Sequence, residues 1–466
     1  MWRILREAVL VRAAWLLLLG CRWARAVEEE AGDLESGPGG GSTSVRGRGV
    51  IRGDGLDGWL RPLGEELRVE AGLGEEEFGG GVGGWNPEGE PGTGVGSRWW
   101  TLTPHLELSV LYDDNVFLQP VERSADFVFT AVPGFSAAGG DWERGAGMLE
   151  NGYLRQGTGT GWLFDYGMAF VNFARFDTQD SVDHDARARA QWEGGRVRGF
   201  GEVRFESRGE RSTDVATRIA SSGQRVRRES LGGTCGAEFL LTGKTSLELE
   251  LFGLDERREL GVSLREGRVS VFAMHGWSER VRVGVGGALG VVNLEGTGSQ
   301  VYEQLAARGV YSVSAKTDVE LRGALEWRDF GGAQEERLNP VFELGVQWRP
   351  WEGLDVGLRA HRRVETSRFD SAENLTRVGV EWTVQKMVRE RWRLRLGGLL
   401  ENGNYERGDG GGGRSERFWS VRAGVGYIFT ERAEAEAGWE GRHNASSDSQ
   451  LGYREQLVEM RLKLRL

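Results

Sequence analysis

The chain ends on the sequence QLVEMRLKLRL, residues 456–466, and this stretch alternates in character from Val458 onward. Successive side chains of a β-strand point to opposite faces, so strict alternation predicts a strand with one apolar and one charged face. The predicted strand continues to the last residue. Its apolar positions are Val458, Met460, Leu462, Leu464 and Leu466, and its charged positions are Glu459, Arg461, Lys463 and Arg465.

The same alternation recurs through most of the chain. Clear examples are KTSLELELFGL at 244–254 and TDVELRGALEWRDF at 317–330. About 18 such segments follow residue 100, with 16 as the alternative count. Many are much longer than the roughly five or six residues typical of strands in soluble sheets. The sequence therefore predicts an all-β protein built from long antiparallel strands.

The predicted connections alternate between long and short. The longer ones follow odd-numbered strands, at 113–125, 209–224, 259–264, 331–335, 406–412 and 444–448. Tight turns follow even-numbered strands, at Gly194-Gly195, Thr242-Gly243, Ser278-Glu279, Ser314-Ala315 and Thr430-Glu431. One long connection, 139–159, breaks the rule. This alternation is typical of up-and-down transmembrane barrels with short periplasmic turns, and it predicts that both termini are periplasmic.

Aromatic residues accompany the tight turns, and they form a predicted girdle of Trp192, Trp277, Trp348, Trp351 and Phe429. Transmembrane barrels carry such girdles where the wall meets the lipid–water interface. A closed barrel also explains the alternating terminus, because unpaired backbone groups at an open sheet edge are costly in hydrocarbon. The last strand is therefore predicted to pair with the first strand near Leu106.

In a closed barrel the apolar set faces lipid and the charged set faces the lumen. The candidate lumen residues are Arg187, Arg189, Arg198, Arg204, Glu248, Glu250, Arg282, Glu320, Arg322, Glu343, Arg359, Glu381, Arg393, Arg395, Glu434, Glu436, Arg461, Lys463 and Arg465. Two interpretations stay open: these residues line a polar conduit, or they only solvate or plug the interior. Antiparallel pairing is further expected to bring Glu434 close to Arg461, within two residues of register.

The first 26 residues have the features of a secretory signal peptide. Arg3, Arg6 and Arg12 precede an apolar run, and Ala24-Arg25-Ala26 fits a cleavage site. Lipidation at Cys21 is the alternative. Residues 27–97, rich in Gly, Glu, Arg and Ser, are predicted to be a flexible segment, and residues 98–466 to form the barrel. The net charge of −11 argues against a nucleic-acid partner.

A family resemblance is carried by residues 106–136, LELSVLYDDNVFLQPVERSADFVFTAVPGFS. This opening resembles the β-barrel porin 2 family of Gram-negative bacteria, on Tyr112, the run 113–115, Asp126 and the run 132–134. The resemblance implies an outer-membrane barrel, with some members associated with exopolysaccharide systems. The terminal Leu466 departs from the aromatic residue usual in such proteins. Asp113, Asp114 and Asn115 are natural loop formers, with a calcium or ligand role as the alternative.

The sequence contains none of the common catalytic or cofactor-binding motifs. The five histidines share no metal-ligand spacing, no G-x-S-x-G motif occurs, and the glycine-rich runs lack the Lys-Ser/Thr of a phosphate loop. We therefore expect no catalytic, metal or cofactor site, and no enzyme. The predicted function is porin-like passage of small solutes or an accessory role in envelope or exopolysaccharide export. The alternative is a non-conducting structural or adhesive barrel. The expected partners are outer-membrane lipid, the barrel-assembly machinery and an envelope polysaccharide system.

Overall fold

The structure, a computed structural model, describes residues 100–140, 160–210, 226–259, 262–296, 299–329, 337–366, 373–407 and 413–466. The predicted signal peptide at 1–26 and the segment at 27–97 lie outside these residues. No helix in the described ranges is long and apolar enough to cross a membrane.

Eighteen antiparallel strands make up the described fold. They are β1 (Trp100–Asp113), β2 (Asp126–Gly140), β3 (Gly161–Phe173), β4 (Ser181–Glu193), β5 (Val197–Glu210), β6 (Val226–Leu240), β7 (Thr245–Arg258), β8 (Leu264–Gly276), β9 (Val281–Leu294), β10 (Ser299–Ser314), β11 (Thr317–Asp329), β12 (Arg337–Trp348), β13 (Leu354–Thr366), β14 (Glu373–Val388), β15 (Trp392–Arg407), β16 (Arg414–Thr430), β17 (Ala433–Ser446) and β18 (Tyr453–Arg465). A short 3-10 helix, Asp177–Gln179, lies between β3 and β4.

The sheet closes into a barrel because β18 pairs with β1. Leu464 lies opposite Leu106, as predicted, and the Leu466 amide donates to the Pro104 carbonyl at 2.9 Å. All the remaining pairings join strands that are consecutive in the sequence. The prediction of a closed up-and-down barrel is confirmed, and the count is 18 rather than 16 in the part of the chain that is described.

The two ends of the barrel differ in their connections. Tight turns at 194–196, 241–244, 277–280, 315–316, 349–353, 389–391 and 431–432 share one end with the start of β1 and the end of β18. We call this the short-turn end and the opposite one the long-loop end. The exception predicted from the sequence holds, since the 141–160 connection joins β2 to β3 at the short-turn end. Residues 141–159 of it lie outside the described ranges.

Strand β11 illustrates the two faces of the wall. Leu321 and Trp327 point outward and are 54% and 42% exposed, whereas Glu326 points inward and is fully buried. The outward face between Thr317 and Trp327 is apolar, and Thr317 lies beside Trp348 of the short-turn end. At the usual strand rise and tilt, this stretch spans about 25 Å along the barrel axis, close to the apolar band of transmembrane barrels.

Glycines of β9 allow large inward side chains to lie across the strand. A Cβ atom at Gly290 would lie 2.1 Å from the ring of Tyr302, and one at Gly286 would lie 2.6 Å from the ring of Phe272. These glycines belong to the glycine-rich run GVGGALG at 284–290. They provide space for rings from the two neighbouring strands, β8 and β10.

Candidate functional site in the barrel lumen

The candidate lumen residues predicted from the sequence all lie at inward-facing positions of their strands. Ion pairs that skip strands identify this face as the concave one. Arg395 of β15 donates to Glu436 of β17 at 2.5 Å, past β16. Arg308 of β10 pairs with Glu248 of β7 past two strands. Side chains converge on the concave side of a curved sheet and diverge on the convex side, so such bridges require the lumen face.

Charged side chains of the terminal strand hold the seam between β18 and β1. Arg461 lies 3.0 Å from Glu107 of β1 and donates to Glu459 at 3.0 Å. On the other neighbouring strand, β17, Glu436 lies opposite Arg461 and Glu434 lies opposite Lys463. The pairing expected between Glu434 and Arg461 is thus displaced by two residues, within the predicted margin.

A second network runs along the wall from β4 to β7. Arg204 bridges Asp185 at 2.9 Å and Glu206 at 2.6 Å. Arg228 continues from Glu206 at 3.0 Å to Glu256 at 3.4 Å. Alternating charge along four strands produces a continuous ion-paired surface, and each buried charge in this chain of contacts has an opposite charge beside it.

Many inward charges were not among the sequence candidates, although strand alternation places them on the same face. They include Glu107, Glu206, Arg228, Glu256, Arg268, Arg308, Glu326, Arg328, Arg363, Arg377, Glu401, Glu440, Arg442, Glu455 and Glu459. Parity could have found them, because every second residue along a strand from a candidate lumen position lies on the same face of the sheet.

Inward rings are a feature that the sequence did not reveal. The guanidinium groups of the lumen wall stack on them: Arg308 lies 4.8 Å from the ring centre of Phe272, and Arg328 lies 4.7 Å from that of Tyr302. Both rings are almost fully buried. Cation–π contacts of this kind are favourable within about 6 Å. Because the arginines cover the rings, the surface offered to the lumen stays polar.

The loop between β1 and β2, residues 114–125, folds into the long-loop end of the lumen. We call it the inner shelf. Leu118 is only 3% exposed and packs with Phe418 of β16 and Tyr453 of β18, both inward-facing. Val116 is 4% exposed and joins an apolar cluster that includes Leu111. The shelf therefore lies against the inner wall rather than over the outside of the rim.

Acidic side chains at the base of the shelf bind backbone amides. Asp113 accepts from the Asn115 amide at 2.8 Å, and Asp114 accepts from the Gln456 amide at 2.6 Å. Asp126 accepts from the amides of Arg175 and Phe176 at 3.0 and 3.1 Å. Within the described residues, no group of three or more His, Cys, Asp or Glu side chains could hold a metal ion. The contacts of Asp113 and Asp114 with backbone amides match the loop-forming role predicted for them.

On the outer wall, the predicted girdle residues Trp192, Trp277, Trp348, Trp351 and Phe429 are all exposed at the short-turn end. The sequence prediction omitted Trp100, Trp162 and Trp392, which are exposed at the same end. Near the long-loop end, the outward rings of Tyr112 and Phe127 pack with their centres 5.2 Å apart, and Trp327 ends the apolar outer face of β11. The apolar outer face is thus bounded by aromatic side chains above and below.

The run Asp183, His184, Asp185 shows how successive side chains of β4 alternate between the lumen face and the outer face of the wall. Asp183 and Asp185 point inward, whereas His184 points outward and hydrogen-bonds the Tyr166 hydroxyl at 3.0 Å. The motif VDHD therefore cannot bring its three side chains together, as strand alternation predicts.

Comparison with known proteins gives structural likeness only. No family model and no curated protein match the chain. Among solved structures, OccK2 (OpdF) of Pseudomonas aeruginosa aligns at 10% identity and a TM-score of 0.44, over 78% of this chain and 98% of that one. OccK11 (OpdR) of the same organism aligns at 13% identity and a TM-score of 0.39, over 79% and 96%. A mutant of its ferric enterobactin receptor PfeA aligns at 8% identity and a TM-score of 0.40, over 78% and 80%.

The closed barrel implied by the resemblance to the β-barrel porin 2 family is confirmed by the fold. The family resemblance itself stays a prediction.

Proposed function

We propose that this chain is an outer-membrane β-barrel that lets small hydrophilic solutes pass without a catalytic step. The observation that carries the proposal is the two-faced wall. An apolar outer face bounded by aromatic rings suits a bilayer, and an ion-paired inner face suits water. Outer-membrane lipid surrounds such a barrel, and the barrel-assembly machinery of the envelope inserts it.

The width of the barrel supports a conduit. Eighteen strands at ordinary spacing and tilt give a circular barrel a backbone diameter of about 35 Å, and barrels of this size leave an aqueous channel. The ion pairs described above run along the wall, joining neighbouring strands or strands two or three positions apart. They line the inner surface without bridging opposite walls.

The chemistry of the lining favours small polar solutes of either charge. Arginine and glutamate alternate along the networks, as in the set Arg204, Glu206, Arg228 and Glu256. Selectivity for one charge sign requires a ring of like charges. We therefore expect weak selectivity between anions and cations. An envelope polysaccharide, which the family resemblance implies, is a further solute class that the same conduit would suit.

Single-channel recording of the refolded barrel in a planar bilayer tests passage. We expect discrete conductance steps, and a reversal potential near zero across a gradient of potassium chloride. Protein unfolded by boiling provides the control and should give no steps. Insertion of folded, heat-modifiable barrel without any steps would reject passage and favour the non-conducting structural or adhesive alternative.

We also propose that both termini face the periplasm, because short turns belong to the periplasmic side of outer-membrane barrels. An epitope inserted between β5 and β6, at the long-loop end, should bind antibody on intact cells. The matched insertion at Gly194-Gly195, at the short-turn end, should not. The reverse labelling would overturn this orientation.

A further inference from the structure

We infer that the inner shelf, residues 114–125, is a fixed constriction at the long-loop end and sets the largest solute that the barrel passes. The inference rests on the proposed passage function, which it makes more specific. It assigns size selection to one loop rather than to the charged wall.

The first argument is the reach of the shelf. Leu118 packs in one buried cluster with Phe418 of β16 and Tyr453 of β18, although the loop starts at the end of β1. On its other side, Phe117 meets Phe176 of the β3–β4 connection edge-on, with ring centres 4.8 Å apart. In the order of the sheet, the shelf extends from β16 through β17, β18, β1 and β2 to β3, six of the 18 strands. It therefore occupies about a third of the perimeter of the mouth.

The second argument is that buried polar contacts fasten the shelf. The Asn115 side chain is fully buried and donates to the carbonyls of Gln119 and Arg454, at 2.9 and 2.8 Å. Its side-chain oxygen accepts from the Gln119 amide at 2.9 Å. The backbone amide of Asp114 donates to the Gln456 carbonyl at 3.1 Å. Detaching the loop would leave these groups without their partners, so the attached position is strongly favoured.

Apolar burial and backbone conformation support the same conclusion. Val116 and Leu118 bury nearly all of their side-chain surface, and this burial would be lost if the loop were detached and solvated. Leu118 and Glu122 adopt positive φ angles of 50° and 56°. This conformation is unfavourable for residues with a Cβ atom and persists where surrounding contacts enforce it.

The exposed part of the shelf lies a few residues further on. Val121 is 72% exposed, and Glu122 and Arg123 are exposed beside it. Arg123 is held by an ion pair to Asp114 at 3.1 Å. The shelf thus has one side that is buried against the wall and one edge that faces solvent. This asymmetry provides a matched pair of positions for a test.

The test compares Leu118→Asp with Val121→Asp. Both variants add one negative charge to the same loop, but only the first places it in the apolar contact with Phe418 and Tyr453. We expect Leu118→Asp to release the shelf and raise the single-channel conductance about 1.5-fold, in proportion to the perimeter that the shelf occupies. It should also admit larger oligosaccharides in a liposome-swelling assay. Val121→Asp keeps the buried contacts of the shelf, so larger oligosaccharides should stay excluded, and any change in conductance should be smaller than that of Leu118→Asp.

A cross-link separates a fixed constriction from a moving lid. In a Cys235→Ser background, the thiols of Leu118→Cys and Tyr453→Cys are joined by a short bis-methanethiosulfonate reagent. Each thiol forms a mixed disulfide with the reagent and releases methanesulfinate, and the joined and unjoined proteins are compared. A fixed shelf gives equal conductance in both states. Loss of conductance on joining would show that the shelf must move and would overturn the inference. This comparison also serves if Leu118→Asp fails to fold.

The outcomes distinguish the two proposals. If the native barrel gives no conductance, the passage function fails and the size-selection role fails with it. If the native barrel conducts, and a heat-modifiable Leu118→Asp variant keeps its conductance and size limit, only the role of the shelf is rejected.

Discussion

At the scale of single residues, the lumen wall depends on how side chains of unequal size are paired across strands. Tyr302 of β10 lies across Gly290 of β9 and donates its hydroxyl to Glu266 of β8 at 2.6 Å. Arg328 covers the same ring from β11. One glycine therefore allows a ring, a carboxylate and a guanidinium from three other strands to pack together.

Replacing Gly290 with Val should destabilise the barrel by about 1–3 kcal/mol, the usual cost of overpacking. The added side chain would collide with the Tyr302 ring, since even a Cβ atom would lie 2.1 Å from it. The control is Gly309→Val on the outward face of β10, where an added Cβ atom has nothing within 4 Å. Guanidinium unfolding midpoints of refolded protein measure both changes. Equal midpoints would contradict the packing described for Tyr302.

Residue-level partners mark the limit of what the sequence could predict. Alternation placed Arg461 on the inward face, and the structure agrees. Glu459 follows from the same alternation, because it lies two residues before Arg461 on the same strand. Glu107 could not be deduced, because the choice among Glu107, Glu434 and Glu436 depends on the register of β18 with both β17 and β1. A register shift of two residues changes the partner of a side chain but not the face on which it lies. The face can therefore be predicted from the sequence, whereas the partner on the next strand cannot.

At the scale of elements, the strands were predictable because each one has a charged inward face and an apolar outward face. This requirement imposes a period of two on the sequence, and it holds to Leu466. The same property predicts how insertions behave. Inserting an even number of residues within β18 keeps the following side chains on their original faces, and inserting an odd number moves each of them to the opposite face.

One alanine inserted between Glu459 and Met460 should abolish folding, whereas two alanines should be tolerated better. A single insertion turns Arg461, Lys463 and Arg465 toward lipid. Two residues keep these side chains inward and shift only their partners. The fraction of heat-modifiable barrel in outer-membrane preparations measures the difference. If the single insertion folds as well as the double one, the faces of β18 are not separated as described.

The inner shelf could not be predicted from periodicity. Its apolar residues Val116, Phe117 and Leu118 lie in a loop, and the sequence only indicates that such side chains avoid water. Leu118 shares a buried cluster with Phe418 and Tyr453, which lie 300 and 335 positions later in the chain. This cluster follows from barrel closure, which pairs β18 with β1 and places β16 two strands beyond β18, and not from any local pattern.

At the scale of the whole molecule, the barrel is defined by closure and by the height of its apolar outer face. Closure depends on one pairing between the first and last strands, with Leu106 opposite Leu464 and Asp113 opposite Leu457. The height follows from the aromatic residues at the two ends. Closure leaves no unpaired strand edge between β18 and β1. The apolar outer face is about as tall as the apolar band of transmembrane barrels.

The most direct test of a membrane-spanning wall compares the same substitution at two heights. Leu321 lies mid-height on the outer face of β11 and is 54% exposed, and Leu241 lies in the turn after β6 and is 58% exposed. Leu321→Arg places a charge at the bilayer midplane, which costs about 2–4 kcal/mol, whereas the interface costs about 0–1 kcal/mol. The measurement is the folded fraction of each variant after refolding into lipid vesicles, read from heat-modifiable gel migration. We expect a large loss for Leu321→Arg and near-native folding for Leu241→Arg. Equal folding of the two variants would contradict a lipid-facing wall, because a barrel surrounded by water would tolerate arginine equally at both heights.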